Sequence, residues 1–207
     1  MKILSIQAVE KLKIIDKQEN ISYGAQQDFY SSKWKQAAGC GPTAASNLIL
    51  YEYRKDLCEE NPIHEESIRQ IMNVMWKHIT PGIMGVHVYH KFTKGISRYI
   101  KDNNLAFNVR HILIDKNKNK RIKLDELIYF LENSLSENHL VAFLNRHNGE
   151  EKLLDRWHWV VLYQLEVDEN SCTAIILDQG KKIEINLKLW LETTLDCGAF
   201  VSLESLQ

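Results

Sequence analysis

The chain has 207 residues, with 26 Lys and Arg against 27 Asp and Glu and a formal net charge of −1. That balance excludes a surface built as a whole to hold nucleic acid or an anionic membrane. With 44% hydrophobic and 26% charged residues the composition is that of an ordinary globular protein, and at roughly 150 residues per domain one domain is expected over 1–207. Its helical part is expected over about 23–103 and its sheet part over about 106–203.

Gly39-Cys40-Gly41-Pro42 reads as a turn, with Pro42 at the first position of a helix over 43–54. Ala44, Ala45, Leu48, Ile49 and Tyr53 form its apolar face. A second helix is expected over 64–78, carrying Ile68, Ile71, Met72 and Met75, and Thr80-Pro81-Gly82 ends it. A third, over 86–101, turns Phe92, Ile96, Tyr99 and Ile100 inward. From 106 the pattern changes. Residues 106–114 read as a strand, 124–135 as a helix, and 140–144, 158–167 and 172–177 as strands. Asp168-Glu169-Asn170-Ser171 folds the last two into an antiparallel hairpin. Gln179-Gly180-Lys181 turns into a strand over 183–187, and 200–203 is expected to close the sheet. Helices first and antiparallel strands after them give an α+β class.

The apolar run in Met1-Lys2-Ile3-Leu4-Ser5-Ile6 is too short for a signal-peptide core, and no membrane-spanning run follows. Cys40, Cys58, Cys172 and Cys197 are widely spaced and form no CxxC pair, so they read as reduced thiols in a cytoplasmic protein.

Cys40 is the most informative residue. It lies between two glycines at a helix start, where unpaired backbone N–H groups and the helix dipole favour an anion such as a thiolate. The glycines let a substrate carbonyl approach the backbone, and the Cys40 N–H can donate to an oxyanion. A buried structural cysteine in a Gly-Pro turn fits the same stretch.

A thiolate nucleophile needs a base that later protonates the leaving group, and histidine titrates in the required range. Among eight histidines His158 stands out, because it opens the apolar run Trp159-Val160-Val161-Leu162-Tyr163. Trp157 and Trp159 flank it and are expected to shield a charge from water. A strand-end histidine held by hydrogen bonds is the alternative, and His147 is the competing base. His64, His78, His87, His90, His111 and His139 fall on polar faces or element ends and read as surface residues. A third group must hold the base in one tautomer. Asp178 closes the next strand, where it could also serve as a turn-former. With 168–171 as the turn, His158 and Asp178 meet across the hairpin to within a residue or two.

Gly39-Cys40-Gly41-Pro42-Thr43-Ala44-Ala45, followed by Trp157-His158-Trp159-Val160-Val161 and Leu177-Asp178-Gln179-Gly180, resembles the papain-like cysteine peptidases, and within them the bacterial C39-like branch. The order Cys, His, Asp is that superfamily's order. The likeness is strongest over 23–54 and 139–180 and extends through Thr80-Pro81-Gly82-Ile83-Met84-Gly85. Two departures stand out. The papain motif C-G-[SA]-C-[WY] is absent, and the 118 positions between Cys40 and His158 fall short of the roughly 130–150 of papain itself.

The resemblance implies a papain-like fold, a helical subdomain packed on an antiparallel sheet with the cleft between them. It implies a cysteine peptidase or amidohydrolase acting on a peptide or protein, without cofactor or metal, and the charge balance and lack of a spanning run add the expectation of no nucleic-acid or membrane partner. It also implies an oxyanion glutamine upstream of the cysteine. Gln27 is the first choice and Gln26 the reserve, while Gln36 is too close in sequence to turn back. The interval from Gln27 to Cys40 is expected to be a loop lining the cleft with Trp34. An acyltransferase, a transglutaminase-like enzyme or a deamidase would use the same thioester, and a non-catalytic scaffold would keep the fold alone.

One stretch mimics a calcium loop. In Asp115-Lys116-Asn117-Lys118-Asn119-Lys120-Arg121-Ile122-Lys123-Leu124-Asp125-Glu126, oxygen ligands fall at positions one, three, five and twelve. Lys120 stands where the sharp turn needs glycine, and the surrounding cations repel a dication. A solvated loop is the expectation.

Overall fold

The computed structural model describes residues 1–56 and 61–206; Cys58 lies outside them. The chain opens with three short strands, β1 (Lys2–Ser5), β2 (Lys13–Ile15) and β3 (Ile21–Tyr23). Helices α1 (Lys33–Ala38) and α2 (Cys40–Arg54) follow, then β4 (Ile63–His64), α3 (Glu65–His78) and α4 (Tyr89–Asp102). The remainder is β5 (Phe107–Ile114), α5 (Leu124–Ser136), β6 (Val141–Asn145), β7 (His158–Val167), β8 (Cys172–Asp178), β9 (Lys181–Asn186), α6 (Leu187–Thr193) and β10 (Gly198–Ser205).

The main sheet runs β5-β10-β6-β7-β8-β9, antiparallel throughout, and β1 pairs with the far half of β7. The 200–203 strand therefore does not close the sheet. Its segment β10 lies between β5 and β6, and Gly198 to Leu203 is buried on both faces. Nor is the N-terminal region purely helical, since β1 joins the main sheet and β2, β3 and β4 form a small second one.

Helix α2 is the axis of the helical layer. Every residue from Cys40 to Tyr51 is buried, as befits a helix enclosed on all sides. Tyr53 is the exception on the expected apolar face: it is exposed, and its hydroxyl pairs with that of Tyr99 at 2.7 Å. Of the expected inward sets of α3 and α4, Ile68, Met72 and Met75 with Phe92, Ile96, Tyr99 and Ile100 are buried, and Ile71 is only partly buried. The strand expected over 183–187 is present as β9 through Asn186, and α6 begins at Leu187. Asn186 caps it by accepting from the Leu189 N–H at 2.9 Å, and it delivers Trp190 to the core beside Phe143 and Phe200. Among the described residues no helix is long and apolar enough to cross a membrane.

Candidate active site

Helix α2 starts three residues earlier than the sequence pattern predicts. Cys40 is its first residue and Pro42 its third, and the first helical bond runs from the Thr43 N–H to the Gly39 carbonyl at 2.9 Å. Proline is tolerated there because the first turn's N–H groups have no intrahelical acceptor. Gly39 caps the helix without a side chain, so the Cys40 and Gly41 N–H groups and the positive end of the dipole are concentrated around the thiol.

The flanking glycines serve packing rather than substrate access. A Cβ on Gly39 would lie 2.4 Å from the Lys35 carbonyl oxygen and 2.6 Å from the Tyr30 ring. One on Gly41 would lie 2.8 Å from two carbons of Val86. Each hydrogen faces protein.

Cys40, His158, Asp178, Gln27 and Gln26 line one narrow cavity, with about 10 Å³ of free space, between the start of α2 and the ends of β7 and β8. His158 Nε2 is 2.8 Å from Asp178 Oδ1, with each side chain only 12% exposed. Nδ1 is then the nitrogen left for another partner, and it belongs to a ring that lines the same cavity as Cys40. Burial works against a charge on this ring and is the largest single influence. Hydrogen bonds to Asp178 and Cys40 and the charges of both outweigh it, and hold the His158 pKa up at about 10.

The two tryptophans part company. Trp159 is buried, stacks on Phe92 at 4.0 Å between centroids and donates to the Val86 carbonyl at 2.6 Å. Trp157 is 44% exposed under the Arg146 guanidinium, so the expected tryptophan shield on both sides of the histidine is not formed. Trp157 has φ +58, a left-handed conformation directly before His158 that redirects the chain into β7.

Gln27 begins a single helical turn, and its Nε2 donates to the Gln36 carbonyl at 2.6 Å while its Oε1 accepts from Gln179 Nε2 at 3.3 Å. The Gln27–Cys40 interval is not a plain loop, because it contains α1, with Trp34 half exposed. Gln36 turns its amide away, to the carbonyls of Asp28 and Tyr30. His147 lies elsewhere, its Nδ1 accepting from the Gly149 N–H at 3.0 Å. His139 is not a surface residue: it is 1% exposed and bonded through Nδ1 to Glu52 at 2.8 Å.

Asn47 is a cavity residue that belongs to none of the sequence motifs. It lies seven positions after Cys40, on the same face of α2, and its Oδ1 accepts from the Ala25 N–H at 2.6 Å. Gly24, at φ +77, packs against that amide and leaves no room for a side chain. Asn47 thus pins the segment that carries Gln27. A buried polar residue amid the apolar face of a helix was the available signal.

Among the described residues no cluster of three or more His, Cys, Asp and Glu is placed to hold a metal ion. In the calcium-like loop, a cation is already supplied. The Arg121 guanidinium donates to the carbonyls of Asp115 (3.0 Å), Lys116 (3.3 Å), Leu191 (2.7 Å) and Thr194 (2.9 Å). Glu126, at the twelfth position, caps α5 by accepting from the Lys123 N–H.

Against solved structures, the chain is similar to a UfSP from C. elegans, with a TM-score of 0.54 and 7% sequence identity over 98% of this chain and 34% of that one. It therefore spans about a third of that protein's length. A double glycine motif protease from an AMS/PCAT transporter, solved in complex with the leader peptide, gives a TM-score of 0.38 at 12% identity over 80% of this chain and 84% of that one, too slight a likeness to carry weight. No family model and no curated protein matches the chain. The chain has the α+β fold of the papain-like cysteine proteases, helices packed on a mostly antiparallel sheet.

Proposed function

We propose that the chain is a cysteine hydrolase that cleaves a peptide or amide bond in a peptide or protein substrate. Cys40 is the nucleophile, His158 the base and acid, Asp178 the group that orients it, and Gln27 an oxyanion donor. One observation carries the reading: a cysteine in the first turn of a buried helix shares a cavity with a histidine whose far nitrogen is bonded to a carboxylate.

Each step follows from that arrangement. Cys40 Sγ adds to the substrate carbonyl carbon, and the carbonyl π pair moves to oxygen. The oxyanion is received by the Cys40 N–H and by the second Nε2 proton of Gln27, the first being committed to Gln36. Protonated His158 gives its Nδ1 proton to the amide nitrogen, and the C–N bond breaks to leave a thioester and a free amine. Neutral His158 then takes a proton from water, whose oxygen adds to the thioester. The C–S bond breaks, and the carboxylic acid departs. Asp178 keeps the proton-carrying Nε2 engaged so that Nδ1 faces the chemistry throughout.

Digestion of a proteome-derived peptide library, read by mass spectrometry, tests the reading. New termini should appear with the wild-type protein and be absent with Cys40→Ala. Added hydroxylamine should divert part of the product to hydroxamate, which reports the thioester. A wild-type digest identical to that of Cys40→Ala would overturn the proposal.

A further inference from the structure

We infer that Gln179 is a positioning residue for the oxyanion site: it sets which way the Gln27 amide faces the Cys40 cavity. The inference rests on the hydrolase reading above and goes one layer deeper into the same cavity.

Asp178 pairs with Lys181, so β8 and β9 are joined by a two-residue turn, Gln179–Gly180, with φ of +45 and +74. Two positive φ values in succession make the type I′ turn, whose first position favours Asn, Asp or Gly. Glutamine lacks the local hydrogen bonding that lets Asn and Asp occupy this region, so its backbone is strained there. The second position is glycine for two reasons, its φ and the 2.6 Å that would separate a Cβ from Gln26 Nε2. The turn is also docked. The Tyr23 N–H donates to the Gly180 carbonyl at 2.9 Å, which ties it to the strand leading into Gln27.

The strained residue has its side chain committed. Gln179 Nε2 reaches Gln27 Oε1 at 3.3 Å, and both residues line the cavity with Cys40. A primary amide has nearly the same shape after a half-turn that exchanges O and N, so shape alone does not orient Gln27. Two bonds do. The Gln36 carbonyl takes one Nε2 proton at 2.6 Å, and Gln179 holds Oε1 on the opposite side. The remaining Nε2 proton is then available to an oxyanion, while Oε1, which would repel one, is occupied. A strained residue beside a reactive group, with its side chain bonded to a partner 152 positions away, marks a functional constraint rather than a turn preference.

Two reagents separate positioning from nucleophile strength. p-Nitrophenyl acetate reacts through a tetrahedral oxyanion: an S–C bond forms, the ester C–O bond breaks and p-nitrophenolate leaves. Iodoacetamide alkylates sulfur by displacing iodide and forms no oxyanion. Gln179→Gly relieves the backbone while removing the amide. It is expected to slow Cys40 acetylation about tenfold, less than the roughly hundredfold or more for losing a donor outright. Alkylation should stay within about twofold, and Tm should hold or rise by about 2 °C. Gln179→Asn, which tolerates the backbone but is one carbon shorter, should match Gln179→Gly. In Gln27→Ala the same change should have no further effect. Wild-type acetylation by Gln179→Gly, equal slowing with both reagents, or a full additional loss on Gln27→Ala would each overturn the inference. If wild-type Cys40 reacts no faster than Cys197 with either reagent, the hydrolase reading itself fails, and the role of Gln179 with it.

Discussion

His158 and Asp178 share a face of the main sheet because the hairpin joining them slips by one residue. Near the turn, Val167 pairs with Cys172 and Gln164 with Ile175, but beyond a bulge at Tyr163 Leu162 pairs with Ile176 and Val161 with Leu177. Continuing that register places Asp178 opposite Val160. Residues directly opposed share a face, as do residues two apart on one strand, so His158 and Asp178 are diagonal neighbours on one side. A straight ladder would have set Asp178 opposite Val161 and sent His158 to the other face. The bulge is thus the backbone device that assembles the pair.

Asp178→Ala should lower the His158 pKa from about 10. The aspartate supplies both a hydrogen bond and a charge that favour the imidazolium, and burial, which opposes it, remains when they are gone. A raised pKa means the ring keeps its proton through neutral pH and releases it only as pH rises through about 10. NMR of the labelled imidazole should show that titration in the wild type and an earlier one in the variant. A leaving-group step that needs the imidazolium should lose its alkaline limb at the same lower pH. An unmoved titration would detach Asp178 from the base.

Gly41→Ala should destabilise the fold by about 1–3 kcal/mol through overpacking against Val86. Val86→Ala in the same chain should recover much of that cost, a coupling that denaturant unfolding of the four proteins in the cycle would measure. Strict additivity would mean that contact with Val86 does not set the cost of the added methyl.

Glu52 near the end of α2 and His139 before β6 join the helical layer to the sheet, with Ser205 Oγ of β10 at 3.3 Å from His139 Nε2. Their side chains are 4% and 1% exposed, and Lys55 also pairs with Glu52 at 2.7 Å, so His139→Ala leaves the buried carboxylate one partner and should cost about 2 kcal/mol. Glu52 lies twelve positions along α2 from Cys40, roughly 18 Å. Cys40 alkylation should therefore be unchanged in the folded variant, and a large change would reveal coupling along α2.

Calcium should leave Tm unchanged, because the guanidinium of Arg121 already takes the loop carbonyls. Arg121→Ala should lose about 2 kcal/mol as the bonds to the Leu191 and Thr194 carbonyls go. A calcium-dependent rise in the wild type would contradict this assignment.

The legible parts of the fold were those written in local pattern. Strand β7 starts and ends where alternation and turn chemistry place it, and α3 and α4 bury the predicted faces. The hairpin brings His158 near Asp178, yet its bulge was invisible, since a one-residue irregularity leaves no periodic trace. The interior place of β10 and the burial of His139 depend on partners far away in the chain. Helix α6 has only seven residues, too few for periodicity to outweigh the strand before it. The glycines beside Cys40 suggest open backbone from the sequence alone, and only their neighbours in the fold, Tyr30 and Val86, explain them.

The most direct measurement is the rate of Cys40 alkylation by iodoacetamide from pH 4 to 10, resolved by mass spectrometry from the other cysteines, in the wild type and His158→Ala. Cys172 is a built-in reference, because burial pushes its thiol up to about 12. Cys40 should outpace Cys172 and Cys197 below pH 7 and lose that advantage in His158→Ala. Alkylation of Cys40 only near pH 8.5, as for an ordinary thiol, or an unchanged profile in the variant, would contradict the thiolate–imidazolium pair.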